Sequence, residues 1–401
     1  LSIILISLLY FVAVLHGVEA TAASYSFDAD SLPKSYDYLL FPDTVPSIDC
    51  VLSEIQDRYN NNEKDSFRII LANGIYSESI KRDFVVDTSL YSDLYIEVWG
   101  LGITTQILGN NSISTNSGNL HFTLRNISIN GGERGIKALT DLSANAITFL
   151  EMYNCKIYNN IGTSYVTDVC MDGAGIYANG PTIIRECEIY DNIGLNWIDV
   201  EHNNFSRGGG IAVVNNTSYN TEISECHIYG NEANAGGGIY VSGSAPVFIQ
   251  RNKIYSNTRK YYVQDGIEYE EGFGEGVYAY QCNNLVFTDN VVYEQIAGSA
   301  GYRDIIPVST AVAIESCGSS EPHYTVSIVN NSFMDNDECH GLWVLLPSGK
   351  TLIRNNLACG NMFGIYLSDY EDNYITMDYN NSYNNGTFNN EVINYFISTP
   401  N

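Results

Sequence analysis

The stretch ISECHIYGNEANAGGGIYVSG (Ile223–Gly243) ends one apolar segment at Ile223, runs a second through Ile228 and opens a third at Ile239. Ile239 and Val241 flank Tyr240, and that alternation is a strand signal. A dinucleotide-binding glycine loop must instead open a helix. Gly236–Gly238 therefore read as structural glycines. They turn the chain into the third segment, where a side chain would crowd the wall or a positive φ is needed.

The same unit recurs along the chain. LRNISIN (from Leu124), MYNCKIYNN (Met152), IRECEIYDN (Ile184), ISECHIYGN (Ile223) and IQRNKIYSN (Ile249) are followed by FTDNVVYEQ (Phe287), IVNNSFMDN (Ile328), IRNNLACGN (Ile353) and MDYNNSYNN (Met377). These nine units recur at spacings of about 25 to 40 residues. Most are followed by a G-x-G-I-Y-type segment, as at Gly173, Gly208, Gly236 and Gly274. Each unit thus offers three short strands and cannot bury its apolar side alone, whereas stacked units share one core. One column, Cys155, Cys187, Cys226, Asn252, Asn290, Asn331, Asn356 and Asn381, falls at the first turn and should stack coil on coil.

On these motifs the chain resembles the pectin-lyase-like superfamily across nearly all of its length after residue 22. The resemblance implies an all-β right-handed parallel β-helix with three strands per coil, an asparagine ladder at the first turn, and a helix plugging the first coil. Ser47 as N-cap, with Ile48, Val51, Leu52, Ile55 and Tyr59 on one face, supplies that helix. A plug is required physically, because an open coil end exposes core and unpaired strand edges. The expected organisation is a leader over 1–22, a cap with the first coils over 23–110, and repeats over 111–401.

The leader is read from LSIILISLLYFVAVL, an uncharged apolar run followed by small residues at Ala20 and Ala22, which is the form of a secretory signal. The mature chain is expected to be secreted or held at the cell surface, without a membrane span, and monomeric. Net charge is -27, from 19 Lys plus Arg against 46 Asp plus Glu. Such a surface repels phosphate backbones and excludes nucleic acid as a partner. Nine cysteines include no C-x-x-C pair, so zinc has no support. The Cys155–Cys187–Cys226 column is expected to stay largely reduced, with Cys282 and Cys317 the better candidates for a bridge.

Insertions fall mostly at one turn, from Ile161, Ile193, Thr258 and Glu294, and should project from one edge of a solenoid. In polysaccharide lyases of the resembled fold such loops wall a groove along the third-strand sheet. The residues outward on that sheet, Tyr177, Tyr240, Tyr278, Tyr280, Trp343 and Tyr366, form an expected exposed aromatic strip for substrate. Candidate catalytic groups on the loops are Asp199, Glu201, His202, Arg207, Asp265 and Arg303. A hydrolase would use opposed carboxylates; a lyase would use a basic residue and carboxylates that bind Ca²⁺. No cofactor is certain and Ca²⁺ is possible. The expected function is binding of an extended polysaccharide, with or without its cleavage: neutral, or acidic and bridged by Ca²⁺. The signature segments of pectin methylesterases, polygalacturonases and pectate lyases are absent from the sequence. The alternative is a non-catalytic surface adhesin, because FTDN (Phe287) and FMDN (Phe333) are similar to the F-x-x-N repeats of chlamydial polymorphic outer-membrane proteins.

Overall fold

A computed structural model describes residues 24–25, 36–40, 47–102, 104–162, 172–194, 206–259, 262–264, 267–269, 273–297, 309–319, 325–336, 338–368, 375–385, 387–388, 391–392 and 395–398. The leader over 1–22 lies outside them.

Successive coils stack as parallel strands. The second strands of the units form an 11-stranded sheet that runs in coil order from Gly74–Tyr76 to Asn381–Tyr383. First and third strands share a 22-stranded sheet. They share it because Ile239–Gln250 and Val277–Thr288 each run round a corner without a break, the bend being absorbed by register shifts at Ser242, Gly243 and Pro246. Burial alternates along the strands, as in Gly118–Arg125 and Ala146–Tyr153, so one apolar cluster runs from Tyr38 to Leu367 inside the walls.

Helix α1 (Ile48–Asn60) closes the N-terminal end. Ser47 Oγ accepts from Cys50 N at 3.2 Å and satisfies one of the orphan donors of the first turn. Asp49 in that turn and Arg58 in the last suit the helix dipole. The face read from the sequence, Ile48, Val51, Leu52, Ile55 and Tyr59, is buried. Gln56 joins it and pairs with both backbone groups of Val85.

Each of the first two turns is made by a residue at positive φ followed by an inward amide or thiol. At the first turn Asn154, Glu186, Glu225, Arg251, Asp289, Asn330, Asn355 and Tyr379 have φ between 50° and 59°. The following residues form the ladder. Asn252 N and Nδ2 both donate to Asn290 Oδ1, and its Nδ2 also donates to Ile223 O. The pattern continues through Asn331 and Asn356. Cys155, Cys187 and Cys226 occupy the same column, with Cys155 N on Cys187 Sγ at 3.4 Å and Cys226 N on Asn252 Oδ1 at 2.9 Å. The last rung differs from the sequence reading. Asn380, not Asn381, receives Asn356, because Met377 pairs with Ile353 and Asn381 opens the next strand opposite Leu357.

A second ladder, not read from the sequence, runs through Asn160, Asn192, Asn231, Asn257, Gln295, Asn336, Asn361 and Asn385. It explains the glycine triplet. Gly236 has φ 59°, and a Cβ there would run into Ile239 O. A Cβ on Gly238 would lie 2.6 Å from Gly276 O and 3.1 Å from the Asn257 amide. The third-strand glycine must therefore be bare for the ladder to pass.

Cys282 and Cys317 are free thiols, contrary to the expected bridge. They stack as a short ladder of their own, with Cys282 N donating to Cys317 Sγ at 3.4 Å. All the described cysteines are unbridged.

Asn331→Ala removes an acceptor for Asn290 N and a donor to Phe287 O, both in the dry interior. Each orphaned group costs about 1–3 kcal/mol. The variant should melt well below the wild type, while Ala at the exposed neighbour Asn330 should have a smaller effect. Thermal unfolding of both variants checks this.

Candidate functional site

The ladders fix the vertical register, so outward side chains fall into files. On the third-strand wall one file runs Lys81, Ser112, Lys137, Tyr177, Ala212, Tyr240, Tyr278, Ala313, Trp343 and Tyr366, each paired with the next. Its step is the strand spacing, about 4.8 Å.

The insertions leave and rejoin beside this wall. Their described ends stack, Ile161 on Ile193 on Glu232, Thr258 on Ile296, and Arg207 on Ala235. Departure from one turn of successive coils is as the sequence implied. The candidates Asp199, Glu201, His202, Asp265 and Arg303 lie outside the described residues.

The expected exposed strip is not exposed throughout. Tyr240 and Tyr278 are only 2% and 6% accessible. They pack with Ala212, Ala235 and Ala313 in a second apolar cluster, against Tyr177, Phe273 and Tyr280. Small neighbours in the file leave room for large rings to lie down. Tyr177, Tyr280, Trp343 and Tyr366 remain partly accessible. Trp343 and Tyr366 sit 5.3 Å apart and tilted by 47°, with Phe273 linking Trp343 back to Tyr278.

Arg207 is the one catalytic candidate among the described residues, and it is engaged. Its Nε donates to Asp172 Oδ1 at 3.0 Å and its Nη2 lies 3.0 Å from Oδ2, a two-point pairing. Its Nη1 donates to Tyr240 Oη at 3.3 Å, and the guanidinium lies 5.0 Å from that ring. Burial raises the Asp172 carboxyl above its ordinary value, and Arg207 opposes the rise. Burial likewise raises the Tyr240 hydroxyl, and Arg207 opposes the rise. Tyr278 donates to Glu315 Oε2 at 2.5 Å, and burial with that carboxylate raises its hydroxyl as well.

The sequence reading missed Arg134, Lys137 and Lys81. The segment ERGIKAL (Glu133–Leu139) is the same element as GAGIYAN, one coil earlier. That alignment would have put Lys137 in the file of Tyr177. Arg134 Nε donates to Gly173 O at 3.2 Å and the guanidinium lies 5.3 Å from the Tyr177 ring. Lys81, Arg134 and Lys137 line a cavity of about 270 Å³, together with the carboxylate of Glu133.

A family model described as right handed beta helix region matches residues 60–358. The chain belongs to that family. The right-handed β-helix agrees with the pectin-lyase-like resemblance read from the repeats. The chain is also similar to the A-module of mannuronan C-5 epimerase AlgE4 of Azotobacter vinelandii, with 12% identity over 89% of this chain and 94% of that one and a TM-score of 0.47. No curated protein matches it. Among the described residues, no three His, Cys, Asp or Glu side chains are placed to hold a metal ion. No described helix is long and apolar enough to cross a membrane.

His340, next to the Trp343–Tyr366 pair, is buried with neither ring nitrogen hydrogen-bonded. Its ring meets Phe363, Tyr366 and Trp343. Burial lowers its pKa from 6.5 to about 3. As the pH falls through 6.5 the unfolded chain takes a proton that the folded chain accepts only near 3, so His340 costs stability across that window. Asp172, with a raised carboxyl, works in the opposite sense. Replacing His340 by Phe should remove the acid loss, and urea midpoints at pH 7 and 5 for both proteins test it. Arg207→Met strands the Asp172 carboxylate in the interior and should cost about 3–5 kcal/mol at neutral pH. Part of that loss should return in acid as Asp172 protonates.

Proposed function

We propose that the third-strand wall binds an extended polysaccharide, laid along the file from Lys137 to Tyr366, in a protein exported to the cell exterior. One contrast between the walls carries the reading. On the second-strand wall Tyr158, Tyr190, Tyr229, Tyr255 and Tyr293 stack face to face at 4.8–4.9 Å. Their ring faces are occupied by each other, and only their edges meet solvent. On the first-strand wall the outward rows close on themselves as well. Arg68 and Arg125 share Glu97, Arg185 pairs with Glu222, and His121 is sandwiched between Tyr95 and Phe149.

The third-strand wall is arranged differently. Its aromatic rings are tilted, not stacked, and partly accessible at Tyr177, Trp343 and Tyr366. Trp343 Nε1 donates to Ser368 Oγ at 2.8 Å, which fixes the indole in one orientation. A rigid amphipathic ring with a free portion of its face suits the apolar C–H face of a sugar. A linear polymer matches a linear file on a rigid scaffold flanked by long loops. Tyr240 and Tyr278 serve beneath the surface, holding the floor and Arg207 in place.

Trp343→Ala and Tyr366→Ala should each weaken retention on the positive glycan about tenfold, equivalent to about 1.4 kcal/mol, without loss of fold. A glycan panel assayed with and without chelator separates the chemistry. A lyase gives an unsaturated product that absorbs in the ultraviolet, a hydrolase gives new reducing ends, and a binder gives neither. If no glycan is retained while the protein adheres to cells through a proteinaceous receptor, the adhesin reading replaces this one.

A further inference from the structure

We propose that the basic cavity at the N-terminal end of this file is an anion subsite, taking a carboxylate or sulfate ester carried by the chain on the third-strand wall. The proposal rests on the polysaccharide reading for the ligand that carries the anion; the cavity itself stands on separate observations.

The first is charge economy. In a chain with 46 acidic and 19 basic residues, an arginine finds a carboxylate easily. Every described arginine but one does so, including the buried Arg259 beside Glu275 and the wall residues Arg185, Arg251 and Arg354. The exception is Arg134. Lys81 and Lys137, which line the same cavity, also form no ion pair among the described residues. Glu133 lines the cavity as well, and it and Asp172 act on Arg134, so three cations face a single lining carboxylate. The excess positive charge repels itself, and an anion between the cations relieves that repulsion. The repulsion is felt: burial first, and Arg134 second, lower the Lys137 ammonium below its ordinary value.

The second observation is that the walls are built and held. Asn110 Oδ1 accepts from the backbone N–H groups of Glu133 and Arg134 at 2.8 and 3.2 Å, pinning the turn that presents Arg134. Asn111 is buried and ties three segments together, accepting from Ile80 N and donating to Leu108 O and Gly135 O. Lys81 and Lys137 stand two rungs apart with Ser112 between them, about 9.6 Å between backbones. That gap accepts a small oxyanion bridged by two flexible ammonium groups. A volume of about 270 Å³ is below that of a site enclosing a whole drug-sized ligand, and fits one substituted sugar.

The third observation is continuity. Tyr177 follows Lys137 in the file and lies under Arg134. An acidic group in the cavity therefore anchors one end of the polymer and sets its direction towards Trp343.

Titration calorimetry on the full protein tests this with four probes: uronic-acid oligomers, the same oligomers fully methyl-esterified, sulfated oligomers of equal length, and inorganic sulfate. Lys137→Met should weaken binding of the acidic oligomers about tenfold or more and flatten its salt dependence, because one charge-assisted contact is lost. It should leave the esterified oligomers unaffected, and Lys137→Arg should retain affinity. Melting curves establish that the variants fold. Preference for the uronate or the sulfated arm identifies the source of the anion. If esterified and acidic oligomers bind equally and Lys137→Met changes neither, the subsite is overturned while the polysaccharide reading stands. If no oligomer binds but inorganic sulfate does, and Lys137→Met abolishes it, the anion site stands and the polysaccharide reading falls. Silence of all four probes overturns both.

Discussion

A coil that turns inside a dry core brings backbone donors and acceptors with it, and water cannot reach them. The buried amide ladders answer that demand. Each ladder Asn takes the backbone N–H and side-chain N–H of the rung before it on one oxygen, and gives its own NH₂ to a carbonyl. An unmade bond at any rung would cost about 1–3 kcal/mol, so the ladder ties the vertical position of each coil to that of its neighbours. The left-handed backbone before each rung is the concession, borne even by Glu186, Arg251 and Tyr379 at about 1–2 kcal/mol each. The thiols of Cys155 and Cys187 fill the same slots with weaker bonds to carbonyls, Cys187 Sγ lying 3.1 Å from Arg185 O. A rung needs a small inward group that can both give and accept a hydrogen bond; the amide does this best.

Fixed rungs have a consequence outside the core. Because coils cannot slip, each outward position becomes a straight file, and the residue type in a file decides what that wall does. Tyrosine in successive coils closes on itself as a stack. Arginine opposite glutamate closes as an ion-pair row. The third-strand file does neither, alternating large rings with alanines and ending in lysines. Its differing side chains form no regular stack or ion-pair row, and Tyr177, Trp343 and Tyr366 stay partly accessible.

The sequence carried the inner architecture well because periodicity is a statement about burial. The repeat, the capping helix from Ser47 and the cysteine column were all legible. The error at Asn381 arose in an Asn-Asn doublet, where either residue suits the turn chemically and only the pairing of Met377 with Ile353 decides. The second ladder was spelled by the last letter of each unit and passed unread. Burial of Tyr240 and Tyr278 was not legible, since alternation tells which face a side chain leaves from and not what lies over it. Arg134 and Lys137 were missed because Glu-Arg-Gly-Ile breaks the glycine pattern while keeping its strand. A departure from a repeat is hardest to see where the repeat itself is the search tool.

Net charge says little about the charge felt at one local face, for a related physical reason. A total of -27 suggests repulsion of acidic polymers, yet charges beyond about 8 Å are largely screened at physiological salt. What a bound group feels is the local arrangement in a partly desolvated site, where opposite charges a few ångströms away count for more than distant ones. On the first-strand wall Glu97 and Glu222 are already engaged with arginines from neighbouring coils. At the N-terminal end of the third-strand wall Lys81, Arg134 and Lys137 act at short range against the one lining carboxylate of Glu133. The local sign of a face is therefore set by which charges the coil-to-coil rows leave over, and at that end of this β-helix three cations outnumber the one lining carboxylate.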